Sequence, residues 1–207
     1  MKKIFAVALL TAIILLAGCG SEKPVAQTVE SSTEEDNPAP VAPPLKTITR
    51  AEAEEKLSKL SNVLEVRYDD MKEITFCRVP VDSYLHPSIW IIPYVAIDKN
   101  YNAELRHKIL YVGNEPLFFE TLYVKTSGGV ETFQYKDVVK GSVGEEYDGR
   151  LSYALYKKLQ EGIKTRQAKF RLSGRTFGER ELTEEELVDM EELFAAYEFF
   201  KSVKVVN

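Results

Sequence analysis

The sequence is short of the residues that make staples and metal sites. Its 207 residues include two cysteines, Cys19 and Cys77, and two histidines, His86 and His107. At most one disulfide is available, so no disulfide framework holds this chain. A structural zinc site takes four Cys or His ligands at short spacings, and no such set exists here. The signatures G-x-S-x-G, H-E-x-x-H and G-x-x-x-x-G-K-[ST] are absent, as is the D-x-[DN]-x-[DN]-G calcium loop. Positive charge is in the minority: 27 Lys and Arg face 32 Asp and Glu, a net of −5. Nucleic acid is therefore not an expected partner. The apolar run near the N-terminus, Ile4 to Leu16, is interrupted by Thr11 and has thirteen residues. That falls short of the roughly 20 needed to span a hydrocarbon core.

The run instead suits the h-region of an export signal, preceded by the positive Lys2 and Lys3. Leu16-Ala17-Gly18-Cys19 closes it, and this stretch resembles the lipobox of bacterial lipoproteins. The resemblance implies cleavage before Cys19 and lipid attachment at that residue. Several acyl chains give stable anchoring where a single one binds only marginally. The mature chain would lose two lysines, leaving 25 basic residues against 32 acidic ones, a net of about −7. An anionic membrane would repel such a protein rather than hold it flat. With Cys19 lipidated, Cys77 becomes the only free thiol, and the fold must rest on its core.

Gly20 to Lys46 holds five of the nine prolines, Pro24, Pro38, Pro40, Pro43 and Pro44, and five acids. Such a stretch cannot bury enough apolar surface to offset its ordering entropy, which predicts a disordered linker over 19–46. As a coil it would reach on the order of 30 Å and lift the domain off the lipid. The organisation expected is a signal peptide over 1–18, the lipidated Cys19 and linker over 19–46, and one globular domain over 47–207. About 160 residues suffice for a single sizeable core.

The domain reads as α+β. Thr49-Arg50-Ala51-Glu52 has capping-box spacing, and a helix should run to about Leu60. Strands are expected over 63–68 and 74–79, joined by a turn at Asp69-Asp70-Met71-Lys72. Residues 89–98 are β-branched and aromatic, and Pro93 within them predicts an edge strand or a bulge. Over 105–112, Leu105, His107, Ile109 and Tyr111 share one face, with Arg106 and Lys108 on the other. Strands over 117–125 and 130–135 follow, the latter after Ser127-Gly128-Gly129. Short connections favour antiparallel pairing, so an antiparallel meander of about six to eight strands is expected. Leu151, Leu155 and Leu159 predict a helix over 150–163. A hairpin spans 167–172 and 176–181. Thr183-Glu184-Glu185-Glu186 opens an amphipathic C-terminal helix whose stripe is Leu187, Met190, Phe194 and Tyr197. This helix is expected to cover the sheet.

Tyr68-Asp69 with Ile74-Thr75-Phe76, Glu146-Tyr147-Asp148, and Arg171-Leu172-Ser173-Gly174 through Arg180-Glu181-Leu182-Thr183 are similar to a pattern in small exported or surface proteins of bacteria and their prophages. Where those carry an aromatic pair after the threonine, this chain has Phe76-Cys77. The resemblance implies a meander sheet closed by a C-terminal helix. It carries no active site, because that group has no assigned activity.

Candidate chemistry is thin. His107, in an alternating strand, reads as a core or sheet-face histidine. Glu145, Glu146 and Asp148 offer the oxygens a hard cation wants, yet without the calcium-loop pattern they read as a solvated acidic loop. Cys77 sits in an apolar β segment, where a thiol is inert. Neither metal nor cofactor is expected. Two surfaces stand out. Lys164, Arg166, Lys169, Arg171, Arg175 and Arg180 are opposed in their own stretch only by Glu179. They would face an anionic wall polymer or an envelope protein if free, and are neutralised within the fold if the acids that follow in the C-terminal helix pair with them, which their adjacency makes the preferred reading. Trp90 and Tyr94 share a strand face with Ile92. That face is a platform for sugar rings or a protein if open, and core if the helix covers it, which is the preferred reading. The candidate site residues are thus Cys19 for lipidation and Trp90, Tyr94, Lys169, Arg171 and Arg175 for binding. The expected role is a lipid-anchored, extracytoplasmic binding module. A glycan-acting enzyme with an unidentified carboxylate pair, and an accessory subunit of an envelope complex or a prophage-encoded surface protein, are the alternatives.

Overall fold

Thr49 caps the first helix as its sequence requires. Its hydroxyl accepts the Glu52 N–H, and the Glu52 carboxylate returns to the Thr49 N–H at 2.7 Å. The computed structural model describes residues 45–80, 88–141 and 144–206, all within one compact unit, Pro43–Asn207. The signal segment, Cys19, most of the linker and His86 lie outside the described residues.

The chain forms β1 (Lys46–Thr49), α1 (Arg50–Leu60), β2 (Glu65–Asp69), β3 (Ile74–Arg78), β4 (Ser88–Asp98), β5 (Ala103–Val112), β6 (Thr121–Thr126), β7 (Gly129–Gln134), β8 (Val139–Lys140), β9 (Gly144–Arg150), α2 (Tyr153–Thr165), β10 (Lys169–Ser173), β11 (Phe177–Glu181), α3 (Glu184–Lys201) and β12 (Val203–Val206). The α+β class, the antiparallel meander and the C-terminal helix are as the sequence predicts. The strands number more than expected and divide into three groups. A six-stranded antiparallel sheet runs β2-β3-β4-β5-β9-β8, and a four-stranded one runs β11-β10-β6-β7. A short parallel pair joins β1 to β12, Lys46 opposite Val203.

Both turns read from the sequence form. The Asp69 carboxylate accepts the N–H groups of Met71 and Lys72 at 3.1 and 3.2 Å. Gly129, at φ +107, takes the backbone across between β6 and β7. Pro93 departs from expectation in an instructive way. β4 is an inner strand of the six-stranded sheet, but its ladder to β3 ends at the Arg78–Tyr94 pair. Among the described residues, Ser88 to Pro93 pair with β5 alone, so a residue without an N–H is tolerated at the edge of the ladder. β11 packs beside this segment, where a Cβ on Gly178 would lie 2.9 Å from Ile89 Cδ1.

Three expectations need correction. Strand β6 begins at Thr121, not residue 117, because Phe118 sits at φ +53 and cannot continue a strand. Residues 144–150, read partly as an acidic loop, form strand β9, with Glu145 turned inward and Glu146 and Asp148 outward. The second helix starts at Tyr153, because Ser152 is its N-cap and accepts the Leu155 N–H at 3.2 Å.

One core joins these parts. Cys77, Val95, Ile97 and Ile109 on the inner face of the six-stranded sheet pack with Leu187, Met190, Leu193 and Phe200 of α3. α3 also meets α2, where the Tyr156 and Phe194 rings lie 4.8 Å apart. The predicted stripe of α3 is therefore only half of its buried surface. Leu193, Ala196 and Phe200 are buried as well, because the helix lies between the sheet and a second helix.

Candidate functional site

Alternation along each strand gives both sheets an outer face of named composition. On the six-stranded sheet, register places Glu65 and Arg67 of β2 beside Phe76 and Arg78 of β3. Next come Trp90, Ile92 and Tyr94 of β4, then Arg106, Lys108 and Leu110 of β5, then Glu146 and Asp148 of β9. Part of this face is a concavity of about 470 Å³, lined by Arg67, Phe76, Arg78, Ile92, Tyr94, Lys108 and Asp148 among others.

Its polar groups are held by one another. The Tyr94 hydroxyl donates to Asp148 Oδ1 at 2.7 Å and accepts from Arg106 Nε at 2.8 Å. Arg106 also reaches Asp148 Oδ1 directly at 3.1 Å. Burial, with Asp148 as a further cause, pushes the Tyr94 phenol up to about 12, so it stays a neutral donor. Arg78 makes a fork with Glu65, Nε and Nη2 at 2.8 Å each. Lys108 pairs with Glu146 at 2.8 Å. The Phe76 and Tyr94 rings stand 6.0 Å apart.

Trp90 is neither open platform nor part of the main core. It is half-buried, and the Arg180 guanidinium covers its ring at 4.2 Å while pairing with Glu186 of α3. The pairing that α3 was expected to supply therefore holds for Arg180. It also holds for Arg166, which meets Glu184 at 3.4 Å and Glu191 at 2.7 Å.

Lys169 and Arg171 take a different environment. Both reach Glu179 on the neighbouring strand, Lys169 at 2.6 Å. Strand pairing brings Lys125 opposite Lys169 and Tyr123 opposite Arg171. Phe177 and Val130 extend the same outer face and are 64% and 57% exposed. Arg175 lies in the turn of this hairpin and stacks on Phe118 at 4.0 Å, with Lys140 on the same ring at 4.4 Å. The sequence did not join Lys125, Tyr123, Phe118 or Lys140 to the basic hairpin, because the β6–β10 pairing spans a long stretch of chain.

The loop under Phe118 is built around Glu145. This buried carboxylate accepts the N–H groups of Phe118 at 2.5 Å and Phe119 at 2.8 Å. Gly174 lets the hairpin turn approach the same loop, since a Cβ there would lie 2.2 Å from the Leu117 carbonyl oxygen. Glu145, Glu146 and Asp148 therefore do not converge. No group of His, Cys, Asp and Glu able to hold a metal occurs among the described residues. His107 is buried, with Nε2 2.9 Å from the Tyr135 hydroxyl and Tyr147 packed on its ring. Burial pulls it down to about 4. Cys77 is fully buried and its thiol is pushed up to about 11, the state of an inert thiol.

A larger cleft of about 790 Å³ lies where β5 and α2 begin and α3 ends. Its carboxylates are already engaged. Glu198 accepts the Tyr156 hydroxyl at 2.8 Å, Glu104 pairs with Arg150 and Arg106, and Asp98 holds the N–H groups of Asn100 and Asn102. No helix among the described residues is long and apolar enough to cross a membrane. Comparison with known proteins finds no matching family model, no matching curated protein and no matching solved structure.

Proposed function

We propose that this protein is a lipid-anchored binding module of the bacterial envelope, tethered through Cys19 and holding an anionic wall polymer on the outer face of its four-stranded sheet. The observation that carries the polymer reading is local charge inversion. Lys125, Lys169 and Arg171 share one sheet face with Glu179 and Glu181, and Arg175 and Lys140 lie at its end, in a chain whose net charge is −5. Alternate residues along β10 stand roughly 7 Å apart on one face, so the cations form a row suited to repeated charges on a chain. Tyr123, Phe177 and Val130 add apolar contact between them. The enzyme alternative calls for two carboxylates converging on a ligand. The carboxylates of the larger cleft are occupied by partners of their own, which favours binding over catalysis.

Two measurements test the two halves of the reading. Metabolic labelling with a fatty acid should mark the wild type and leave Cys19→Ala unlabelled; equal label in both would remove the anchor. Binding to a phosphodiester or uronic-acid polymer should weaken steeply with salt and fall further in Lys169→Ala/Arg171→Ala. Salt-independent binding, or equal binding by the double variant, would remove the polymer.

A further inference from the structure

The concavity on the other sheet differs in chemistry from the basic face. Its lining carries Arg67, Arg78 and Lys108 against Glu65, Asp69, Asp70 and Asp148. Arg78 and Lys108 are matched by Glu65 and Glu146, and Asp148 is held by Arg106 and Tyr94. Asp69 accepts the Met71 and Lys72 N–H groups, and Arg67 and Asp70 remain with opposite signs, so a ligand of either net charge would have to displace these pairs and would find little excess of opposite charge to reward it. What remains is an interleaved set of donors and acceptors, fixed in place before any ligand arrives, around the edges of two aromatic rings.

We propose that this concavity binds an uncharged oligosaccharide. A sugar ring offers an apolar face of C–H groups and a rim of hydroxyls that both donate and accept. Phe76 and Tyr94, 6.0 Å apart and inclined at 60°, supply the surface for the C–H face, over a floor made by the buried Ile92. The Arg78–Glu65 fork on one side and the Arg106–Asp148–Tyr94 cluster on the other each present a donor beside an acceptor. That is the pattern two neighbouring hydroxyls require. Arg67 is exposed and lines the rim of the concavity. The volume of about 470 Å³ falls in the ordinary range of ligand clefts, roughly 300–1,000 Å³. Because the polar groups are already locked by one another, little side-chain ordering opposes binding.

The site is separate from the basic face, and the two make opposite demands on salt. The test uses the full chain in detergent micelles, immobilised and probed with uncharged hexose and N-acetylhexosamine oligomers, with a uronic-acid oligomer and an oligolysine peptide as charged controls. An uncharged oligomer should bind equally at low and high salt. Phe76→Leu and Arg67→Ala should each weaken it roughly tenfold, while Lys169→Ala/Arg171→Ala leaves it unchanged. Matching thermal melts would show that the variants are folded, and Tyr94→Phe, which keeps the ring, provides a second conservative probe. Overturning results are the absence of binding by every uncharged oligomer, binding that ignores both Phe76→Leu and Tyr94→Phe, or a preference for either charged control. An oligolysine preference would point to a protein partner instead.

Discussion

On β4, Ile91, Val95 and Ile97 enter a core closed by α3, while Ile92 and Tyr94, their immediate neighbours, look out between guanidinium and carboxylate groups. The same alternation runs through β3, where Cys77 is fully buried and Phe76 and Arg78 are not. Two faces of one sheet thus handle polar groups in opposite ways. Inside, polar side chains are few and each is committed to one partnership. His107 meets Tyr135, and Glu145 sits under two backbone N–H groups. Outside, they are many, paired with one another and partly hydrated. Loss of an inner group leaves a cavity or an orphaned partner. Loss of an outer one leaves a hydrated surface.

The most damaging change should therefore be on the helix that closes the inner face. Phe194 is 4% exposed and lies 4.8 Å from the Tyr156 ring. Phe194→Ala should cost roughly 3–5 kcal/mol in urea unfolding. An unchanged midpoint would mean that the inner face does not depend on α3, and the contrast between the faces would fail at its base.

Acid comes next. His107 is held down to about 4 by burial, with Asp148 opposing, whereas an unfolded histidine titrates near 6.5. The unfolded chain therefore binds the proton first. The stability contributed by neutral His107 is complete above about pH 6.5 and is lost as pH falls toward 4, roughly 3 kcal/mol in all. Urea midpoints across that window should fall in the wild type and flatten in His107→Gln. Parallel slopes in the two proteins would show that His107 is hydrated and does not belong to the inner face.

A smaller effect is expected at Glu145. Glu145→Gln keeps one acceptor but aims an N–H₂ group at a donor, so Phe118 or Phe119 loses its partner. The cost should be about 2 kcal/mol, read by urea unfolding, with hydrogen exchange quickened at those two amides. Unchanged exchange would show that the carboxylate is not what holds the loop. Thr183→Ala removes the cap of α3 and should cost about 1 kcal/mol. Its unfolding midpoint should shift less than that of Glu145→Gln, because the cap is at the exposed end of the helix.

The parts of the molecule that were legible in the sequence share a cause. Capping boxes at Thr49 and Thr183, the Asp69 turn and the alternation of Leu105 to Tyr111 are local signals, and each appears where its spacing places it. What was missed depends on pairing across distance. Nothing local marks β1 and β12 as partners, for each is four residues long and pairs with the other across the whole length of the domain. Glu145 reads as one acid in an acidic run until β9 turns it toward the Phe118 loop. Lys158 reads as a surface lysine of α2, yet it is buried and paired with Glu161 at 2.8 Å, which also takes the Thr126 hydroxyl. The basic hairpin was visible as composition. Its division into Arg166 and Arg180, which meet α3, and Lys169, Arg171 and Arg175, which do not, required the strands to be placed.

The smallest predicted change lies on the outer face. Tyr94→Phe removes a hydroxyl that donates to Asp148 and accepts from Arg106. Arg106 still holds Asp148 directly at 3.1 Å, and water reaches both side chains, which are 29% and 37% exposed. No charge is uncovered, because the phenol is neutral throughout the physiological range. The ring stays beside Phe76. The stability cost should accordingly be about 1 kcal/mol or less, read as a small shift in the urea midpoint with an unchanged slope. The inner-face variants set the scale. If Tyr94→Phe destabilised the fold as much as Phe194→Ala, the outer network would be a structural core of its own, and its preorganised donors and acceptors would be accounted for by folding, without any ligand.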